Sequence, residues 1–414
     1  MKQFLAFLAL VLLSVPLSGQ LTSPYVQMAT VVVMPTHPSA TDTGNPLGSI
    51  YQPRLTIPNP VPAGTVVDLI GPYPTMHMSP NGLKVNGSAA APVRIRSAIP
   101  SSPAILSGSW EISATYATFE DLRWTAGVNF VAPNNQVVLR DSQAIGNGAT
   151  CLGIGINSYS AAVNTNISFY RVTSSDQGDL RTPIDQDCHG LNIGHRSDHI
   201  WIQESLFARN SGDGIQINGT ADGRASTHHI MVSGSTAAFN KQAGFWVKQA
   251  TDVMFYRNES HDHRPSNSSP GNCMGGQYGP EYVWWVGNHV YNCDYGIQLA
   301  SNSGVGDGLN TIFIANIVHD IHQSVGTFDP SNPWQSCGLS LMGGSKRTVL
   351  YTSLYNVDSG ICTTGPTTLF EGGSGVGGLR PGGVAVFGPL SPVDPVAQLQ
   401  TLRQWSAARG TGAF

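Results

Sequence analysis

The chain has 414 residues, of which only 11% are charged, and its formal net charge at pH 7 is −4. Neither a basic patch nor a long run of like charge is present, so the composition does not predict binding to nucleic acid or to an anionic membrane surface. Beyond a short N-terminal run, no stretch is apolar for long enough to cross a bilayer as a helix.

Residues 1–19 have the features of a secretory signal. Lys2 precedes the apolar run Phe4–Leu13, and Pro16 and the small pair Ser18-Gly19 stand before Gln20. This order of a positive residue, an apolar core and small residues is typical of a cleaved export signal. We therefore expect a secreted or periplasmic protein that is not anchored to a membrane.

The segment 20–62 is rich in Pro, Thr and Ser and contains the apolar patch MATVVVM at 28–34. A stack of strands exposes unpaired backbone groups at its first strand, and proteins cover such edges to avoid aggregation. We interpret 20–62 as a leader and N-terminal cap.

From residue 127 the chain repeats one phrase, a turn that ends in Gly followed by a short strand with alternating apolar residues. Gly153 follows Gly127 by 26 residues, and Gly214 follows Gly190 by 24. The copies are AGVNFV (126–131), LGIGIN (152–157), HGLNIG (189–194), DGIQIN (213–218), AGFWVK (243–248), GNCMGG (271–276), YGIQLA (295–300), CGLSLM (337–342) and SGICTT (359–364). A period in the twenties with longer exceptions predicts stacked coils with inserted loops.

Each phrase divides its residues between two faces. Ile215 and Ile217 point to one side of their strand, while Gln216 and Asn218 point to the other. Stacking the coils would bury the apolar residues in a narrow core and leave a polar outer face. Further strands recur between the glycines, as in 199–207 and 228–236. The pattern predicts an all-β, single-stranded parallel β-helix, whereas a propeller or a leucine-rich horseshoe would need a different repeat.

The segment 63–122 carries a family resemblance. It contains VVDLIG (66–71), GSAAAPVRIR (87–96) and YATFEDL (116–122). On these elements the chain resembles the secreted right-handed parallel β-helix proteins of the pectate-lyase-like superfamily, over roughly 63–365. The resemblance implies the fold and, first among activities, polysaccharide lyase chemistry, although many chemistries share this scaffold.

The tail 366–414 is predicted to leave the repeat. A Gly-rich stretch is followed by a helix over 395–409, with Asp394 as its N-cap, Pro395 at its first position and Gly410 at its end.

Six cysteines in an exported chain favour disulfides. Cys151 and Cys188 each stand two residues before the Gly of their phrase, so neighbouring coils would bring them together. We predict that these two are paired; the spacing of Cys273, Cys293, Cys337 and Cys362 does not determine their partners.

Three insertions lengthen the long coils, at 174–189, 261–270 and 319–337, and each precedes a Gly phrase. Insertions at one phase of a repeat stack on one edge of the solenoid. We expect them to form a wall beside the polar face and so to make a cleft.

The cleft is expected to bind a polysaccharide. Coils stack about 4.8 Å apart, close to the advance of one sugar along an extended chain. Trp246 would offer a stacking plane for a sugar ring. The other expected substrate-binding residues are Asn192, Gln216, Asn218, Gln298 and His261.

For the reaction, the resemblance implies β-elimination with a Lys or Arg base, often with calcium. Lys248 is the candidate base, with Asp213 beside it and with His189, His263 or Arg264 neutralising or protonating the substrate. Arg264 or the histidines would lower the pKa of Lys248. Asp185, Asp187 and Asp213 are hard oxygen ligands suited to calcium.

Several alternatives stay open. A polygalacturonase-type hydrolase would use Asp213 as an acid, but His189 stands where that family has a second carboxylate. A uronate epimerase shares the first proton abstraction, and a non-catalytic glycan-binding or adhesin-like β-helix is a further alternative. Lys248 can also be a solvated charge, and Asp213 can simply bond its own turn. We expect a monomer.

Overall fold

The computed structural model describes residues 29–75, 77–78, 82–158, 160–219, 226–300, 309–324, 336–343, 345–350, 352–363, 368–370 and 384–386. Within these residues the regular elements are β-strands and no α-helix is present. The expected signal at 1–19 and the expected helix at 395–409 lie outside the described residues. Nothing in the described part of the chain is a helix long and apolar enough to cross a membrane.

The N-terminal part contributes eight strands. They are β1 (Ala29–Val33), β2 (Thr65–Leu69), β3 (Pro72–Tyr73), β4 (Leu83–Asn86), β5 (Val93–Ser97), β6 (Ala104–Leu106), β7 (Ser109–Glu120) and β8 (Leu122–Trp124).

From Gly127 onward each coil consists of three consecutive strands. The first, second and third strands of successive coils make up the first, second and third series. The first series is β9 (Gly127–Val131), β12 (Ile154–Asn157), β15 (Leu191–Ile193), β18 (Ile215–Asn218), β21 (Ala243–Lys248), β24 (Asn272–Gln277), β27 (Tyr295–Leu299), β30 (Cys337–Leu341) and β33 (Ser359–Thr363). The second series is β10 (Asn134–Arg140), β13 (Asn164–Tyr170), β16 (Ser197–Gln203), β19 (Thr227–Ser233), β22 (Thr251–Tyr256), β25 (Glu281–Val286), β28 (Leu309–Ile314), β31 (Ser345–Leu350) and β34 (Thr368–Phe370). The third series is β11 (Gln143–Ile145), β14 (Thr173–Ser175), β17 (Leu206–Ala208), β20 (Thr236–Ala238), β23 (Glu259–His261), β26 (His289–Cys293), β29 (Ile317–Ile321), β32 (Ser353–Val357) and β35 (Val384–Val386).

Strands of one series pair in parallel with their counterparts in the neighbouring coils, as β15 does with β12 and β18. The pairing of β32 with β35 is antiparallel. The predicted parallel β-helix is therefore confirmed, and each phrase contributes a strand of the first series. The copy GNCMGG is two residues out of phase, because the register aligns Cys273 rather than Gly271 with Gly244 and Gly296. Parallel sheets wound in this way hydrogen-bond coil to coil rather than within a hairpin.

The predicted alternation of faces is also confirmed. Ile215 and Ile217 are fully buried and align with Leu191 and Ile193 of the previous coil. Such residues form one continuous core from Val31 to Val357. Aromatic rings reinforce it, with the Trp285 ring parallel to that of Phe313 at a centroid distance of 4.8 Å.

Buried turns are held by side chains that stack from coil to coil. Backbone N–H groups of Asn258 and Asn288 donate to the Oδ1 atoms of Asn288 and Asn316, each at 3.0 Å. A buried turn must satisfy its backbone groups internally, and asparagine side chains do so at these consecutive coils. Asn288 and Asn316 thus lie in an internal ladder.

The described residues contain three disulfides: Cys151–Cys188 and Cys337–Cys362 link neighbouring coils, whereas Cys273–Cys293 joins β24 and β26 within one coil. The first was predicted from the phase of the two cysteines. The other two were not assigned from spacing, and of these only Cys337–Cys362 joins adjacent coils.

The N-terminal segment adds a strand to the sheet. β1 pairs in parallel with β2, and Val31, Val33, Ile57 and Val61 join the common core. The other edge of β1 is bonded by the chain that follows it, since Val32 N–H donates to the Leu47 carbonyl and Arg54 N–H to the Val32 carbonyl. A separate capping unit over 20–62 stays a prediction.

Candidate functional site

The outer face of the first series carries a continuous row of residues. Register pairing aligns, from coil to coil, Asn129, Gly155, Asn192, Gln216, Trp246, Gly275, Gln298 and Ser340. A second row two positions further on aligns Asn218, Lys248 and Gln277. The expected substrate-facing residues Asn192, Gln216, Asn218, Lys248 and Gln298 thus share one face of the molecule.

His189 and Asp213 form the centre of this face. The backbone N–H of Asp213 donates to His189 Nδ1 at 2.9 Å, and Asp213 Oδ2 lies 3.7 Å from the same nitrogen. The Asp213 side chain is 3% exposed and that of His189 is 9% exposed. The Asp187 carboxylate, 71% exposed, lies 3.8 Å from His189 Nε2. The imidazole therefore stands between one buried and one exposed carboxyl group.

The hydrogen bond to Nδ1 determines the tautomer of His189. Because Nδ1 accepts a backbone proton, the ring hydrogen of the neutral imidazole is on Nε2, which faces Asp187. Burial lowers the pKa of His189, while the nearby Asp213 carboxylate raises it to a smaller extent. Burial raises the pKa of Asp213, with His189 and Lys248 acting in the opposite sense. The pair favours the uncharged forms of both groups.

Two amides extend this pair toward Lys248. Gln216 Nε2 donates to Asp213 Oδ2 at 2.8 Å, and Asn218 Nδ2 donates to Gln216 Oε1 at 3.3 Å. Lys248 lies beside Asn218 in the next coil and is close enough to influence the ionisation of both His189 and Asp213. Four of the predicted site residues therefore form one hydrogen-bonded network, and Lys248 lies next to it.

A cavity opens next to His189. Its volume is about 180 Å³, and its lining includes Asn129, Asn157, Asp187, His189 and Asn192. Gly155 contributes to this space, because it occupies the outward position between Asn129 and Asn192 and has no side chain to fill it. A Cβ atom at this glycine would lie 2.7 Å from Asn129 Oδ1.

The first and second insertions pack against each other, as expected for a wall. Asn267 Oδ1 accepts from the Asp185 N–H at 2.7 Å, and Asn267 N–H donates to the Pro183 carbonyl at 3.0 Å. Ser268 Oγ donates to Asp185 Oδ2. The wall is thus built from two coils that are not sequence neighbours.

Lys241 holds the first insertion in place through hydrogen bonds to its backbone. Its Nζ donates to the carbonyls of Asp179 and Ile184 at 2.8 and 2.9 Å, and the residue is 2% exposed. A charged donor that is buried needs such partners to offset its lost hydration. Lys241 therefore holds the loop that presents Asp187 and His189.

Trp246 does not provide the expected stacking plane. Its register is outward, but only 5% of the residue is exposed. The neighbouring row position is Gly275, and a Cβ atom there would lie 2.5 Å from Trp246 Cζ3, so the indole lies across this glycine. The prediction of an open aromatic platform is wrong because the ring fills the gap left by Gly275.

His263 belongs to an internal ladder rather than to the cleft. The N–H groups of Gln177, Asn210 and Asn240 donate in turn to Asn210 Oδ1, Asn240 Oδ1 and His263 Nδ1. His263 Nε2 lies 3.0 Å from Ser260 Oγ, and the ring is buried. Burial lowers its pKa to about 3. The expectation that His263 neutralises or protonates a substrate is therefore wrong.

His261 and Arg264 also lie apart from the cavity. His261 is on β23, and its ring stacks on Tyr291 with a centroid distance of 4.7 Å. The row continues through His319 to Tyr355 on the outside of the third series. The Arg264 side chain is exposed, and its N–H donates to the Asn240 carbonyl. His261 thus belongs to the outside of the third series and Arg264 to the second insertion, and no contact among the described residues joins either to His189, Asp213 or Lys248, so both expected roles at this site are corrected.

The three expected calcium ligands have separate environments. Asp185 Oδ1 accepts from the Asp187 N–H, Asp213 bonds to Gln216, and Asp187 accepts a long bond of 3.4 Å from Gln242. Among the described residues, groups of three or more potential ligand atoms within 4.8 Å of one another occur at two places, and neither includes these carboxylates. One of the two, His263 with Cys273 and Cys293, has its sulfur atoms in a disulfide.

Sequence reasoning overlooked Gly155, Lys241 and the lining residues Asn129 and Asn157. Gly155 had a visible signal, because LGIGIN has glycine where the two flanking phrases carry Asn129 and Asn192. Lys241 had none, since its role depends on where the first insertion folds.

No protein-family model matches the chain, and no curated protein is significantly similar to it in sequence. Solved structures do share its fold. A GH136 lacto-N-biosidase from Eubacterium ramulus superposes with a TM-score of 0.51 at 12% identity, covering 82% of this chain and 67% of its own. The A-module of the mannuronan C-5 epimerase AlgE6 of Azotobacter vinelandii gives 0.43 at 13% identity, covering 73% of this chain and 82% of its own. PfbA, a surface adhesin of Streptococcus pneumoniae, gives 0.41 at 12%, covering 79% and 91%.

At such identities the likeness shows the fold alone. The chain is a parallel β-helix protein, and this architecture is shared with carbohydrate-active enzymes.

Proposed function

We propose that the protein is a secreted carbohydrate-active enzyme that cleaves a uronic-acid-containing polysaccharide by β-elimination on the outer face of the first series. The observation that carries the proposal is the position of His189, between buried Asp213 and exposed Asp187 at the edge of the cavity. Buried, mutually interacting ionisable groups beside a cavity are characteristic of reaction centres.

β-Elimination has three requirements. A base removes the proton beside the uronate carboxylate, donors stabilise the negative charge that develops on that carboxylate, and an acid protonates the leaving oxygen. The amine of Lys248 is the proposed base. The Nε2–H of neutral His189 and the amide of Asn192 are suited to donate to the uronate.

Asp213 is the proposed acid. Burial raises its pKa, so this carboxyl group holds a proton more readily than an ordinary aspartate. In the reaction the proton beside the carboxylate moves to the amine, the C–O bond to the leaving sugar breaks as the ring double bond forms, and the Asp213 proton goes to the departing oxygen. His189 remains neutral throughout, since its Nδ1 is engaged by the Asp213 N–H.

Hydrolysis is the second candidate function, because a second carboxyl group, that of Asp187, lies near His189. Asp187 is exposed and lies on the opposite side of His189 from Asp213. One carboxyl group with a raised pKa and one in solvent correspond to the acid and the base or nucleophile of a glycosidase.

The test uses the mature chain with pectate, alginate and glycosaminoglycans. Growth of ultraviolet absorbance from unsaturated chain ends supports elimination, whereas new reducing ends without absorbance support hydrolysis. A change in the uronate stereochemistry without cleavage would support an epimerase. If binding occurs with no chemical change in the substrate, a glycan-binding role replaces the enzymatic one.

Two further expectations are tested with the same purified protein. Calcium dependence, expected from Asp185, Asp187 and Asp213, predicts loss of activity on adding a chelator and recovery with calcium; because a calcium-bound Asp213 would be ionised, that result would argue against Asp213 as the acid. A monomer predicts a single species of about 42 kDa or less by light scattering, because the chain of 43.9 kDa loses its signal on export.

A further inference from the structure

A cluster of three histidines and one aspartate lies on the second series, apart from the cavity. Asp198 and His199 are on β16, and His228 and His229 are on the neighbouring strand β19. Asp198 and His228 are register partners, which places the four side chains at one point on two consecutive coils. All four are partly exposed, with side-chain exposures between 19% for His229 and 41% for His199.

The cluster is unusually tight. The Nδ1 atoms of His228 and His229 each lie 2.8 Å from Asp198 Oδ1, and they lie 2.7 Å from each other. His199 Nδ1 is also 2.8 Å from the same oxygen. Three ring nitrogens thus converge on one carboxylate oxygen.

Hydrogen bonding does not account for all of these contacts. If both His228 and His229 donate to Asp198, their Nδ1–H groups face each other across 2.7 Å. If one of them instead accepts from the other, it has no Nδ1 proton left for the carboxylate. By contrast, lone pairs of two nitrogens and one oxygen that meet at a common point are the arrangement of ligands around a cation.

We propose that Asp198, His228 and His229 form a binding site for a divalent transition-metal ion, zinc in particular. Zinc takes imidazole nitrogen and carboxylate oxygen at bond lengths near 2.0–2.1 Å, which places tetrahedral ligand atoms about 3.3–3.4 Å apart. Opening the present triangle by about half an ångström would reach that geometry. A set of two nitrogens and one oxygen favours zinc or copper over calcium and magnesium.

His199 supports the site without being one of the three ligands. Its Nδ1 contacts Asp198, and its ring lies against that of His229 at a centroid distance of 4.6 Å. Such hydrogen bonds from outside the ligand set orient a ligating carboxylate. Three protein ligands leave a fourth position for water or another ligand.

The site is separate from the proposed active centre. None of its four residues lines the cavity, and they lie on the second series rather than the first. An ion here would join two successive coils, so its effect on stability is distinct from any effect on polysaccharide cleavage. Failure of the polysaccharide assay therefore leaves this proposal standing, and the reverse also holds.

The test measures zinc binding to the untagged mature protein after treatment with a chelator. Titration against a chromophoric zinc chelator should show one tightly bound zinc ion per chain. Cobalt in place of zinc should give the visible absorption bands of a protein-bound ion. The double variant H228A/H229A should weaken zinc affinity by at least about 100-fold, and H199A by about 10- to 100-fold. D198N is nearly isosteric and should also lose the tightly bound zinc ion.

The matched control is H322A. His322 is exposed and contacts a single carboxylate, Asp358, at 2.8 Å, so its loss should leave zinc affinity unchanged. Circular dichroism and melting of each zinc-free variant establish that it is folded. Absence of a tightly bound zinc ion in the wild type, or its persistence in both folded D198N and H228A/H229A, would overturn the proposal.

Discussion

His189 and His263 are both buried, and the Nδ1 atom of each accepts a hydrogen bond from a backbone N–H, but they lie in different parts of the molecule. Each accepts a backbone N–H from an adjacent coil on its Nδ1, from Asp213 at 2.9 Å and from Asn240 at 3.2 Å. In each case burial lowers the pKa. They differ at Nε2, which faces Asp187 and the cavity in His189 but Ser260 in the interior in His263.

The difference shows that burial and a lowered pKa do not by themselves identify a reactive histidine. Structural ladders produce the same shift because any imidazole without water favours its neutral form. What distinguishes His189 is a free direction for its Nε2–H and an ionisable carboxyl group on either side. Substitution by asparagine tests this in both regions, since its Oδ1 can replace Nδ1 as acceptor while nothing replaces Nε2.

The largest expected effect is on catalysis. His189→Asn should lower kcat on the polysaccharide substrate by about 10²- to 10³-fold, the usual contribution of one donor that stabilises developing negative charge. His263→Asn should leave kcat unchanged, because its side chain does not reach the cavity. Initial rates of both variants, with melting curves to establish folding, make the comparison. Equal losses in the two variants would mean that His189 is also only structural.

The next effect is on acid stability and concerns His263. In the folded protein its pKa is about 3, against 6.5 for an ordinary histidine. Protons therefore bind the unfolded chain first, and stability that is present above pH 6.5 falls as the pH drops toward 3. At pH 5 the loss is about 2 kcal/mol relative to pH 8.

His263→Asn should flatten this dependence, because asparagine continues the ladder and does not titrate. Denaturant unfolding at pH 5 and pH 8 measures the two slopes. The exposed control His322→Asn should keep the wild-type slope. A variant at position 263 that retains the full acid loss would refute the assignment.

A smaller effect is expected from Lys241, which holds the first insertion. Lys241→Met keeps the length of the side chain but removes the two bonds to the Asp179 and Ile184 carbonyls. The insertion should loosen, with a loss of about 1.5–3 kcal/mol in the free energy of unfolding. Hydrogen exchange should increase at 179–187 and remain unchanged around His263. Increased exchange at both places would mean general destabilisation instead.

The smallest effect is expected at Gly155. Gly155→Ala puts a methyl group 2.7 Å from Asn129 Oδ1 and reduces the cavity. Because the Asn129 side chain can move, we expect KM to rise about fivefold, or about 1 kcal/mol, with kcat retained. Kinetics on the same polysaccharide measure this. An unchanged KM would place the substrate elsewhere on the face.

The fold followed from the sequence because its determinants are periodic. A glycine, then alternating apolar residues, recurs at intervals that only stacked coils satisfy, and the same phase pairs Cys151 with Cys188. The outward positions of Gln216 and Lys248 follow from that alternation too. Because the pattern repeats, each of these features can be predicted by comparing one phrase with the next.

The site was only partly accessible to such reasoning. Asn210 and Asn240 each stand four residues before the Gly of their phrase, whereas His263 stands eight before Gly271. The second insertion thus hides the fact that His263 continues their ladder. The burial of Trp246 depends on Gly275 in the next coil, and no spacing within one phrase reveals it.

The side-chain ladders also bear on how such a chain changes its length. Asn210 and Asn240 are related by one coil of 30 residues, and each bonds only to the coil on either side. Duplication or loss of one whole coil would leave every remaining amide with an equivalent neighbour, while a deletion of a few residues would break the row. A solenoid held together in this way can therefore change its length by whole coils, each of which adds or removes about 4.8 Å along the axis.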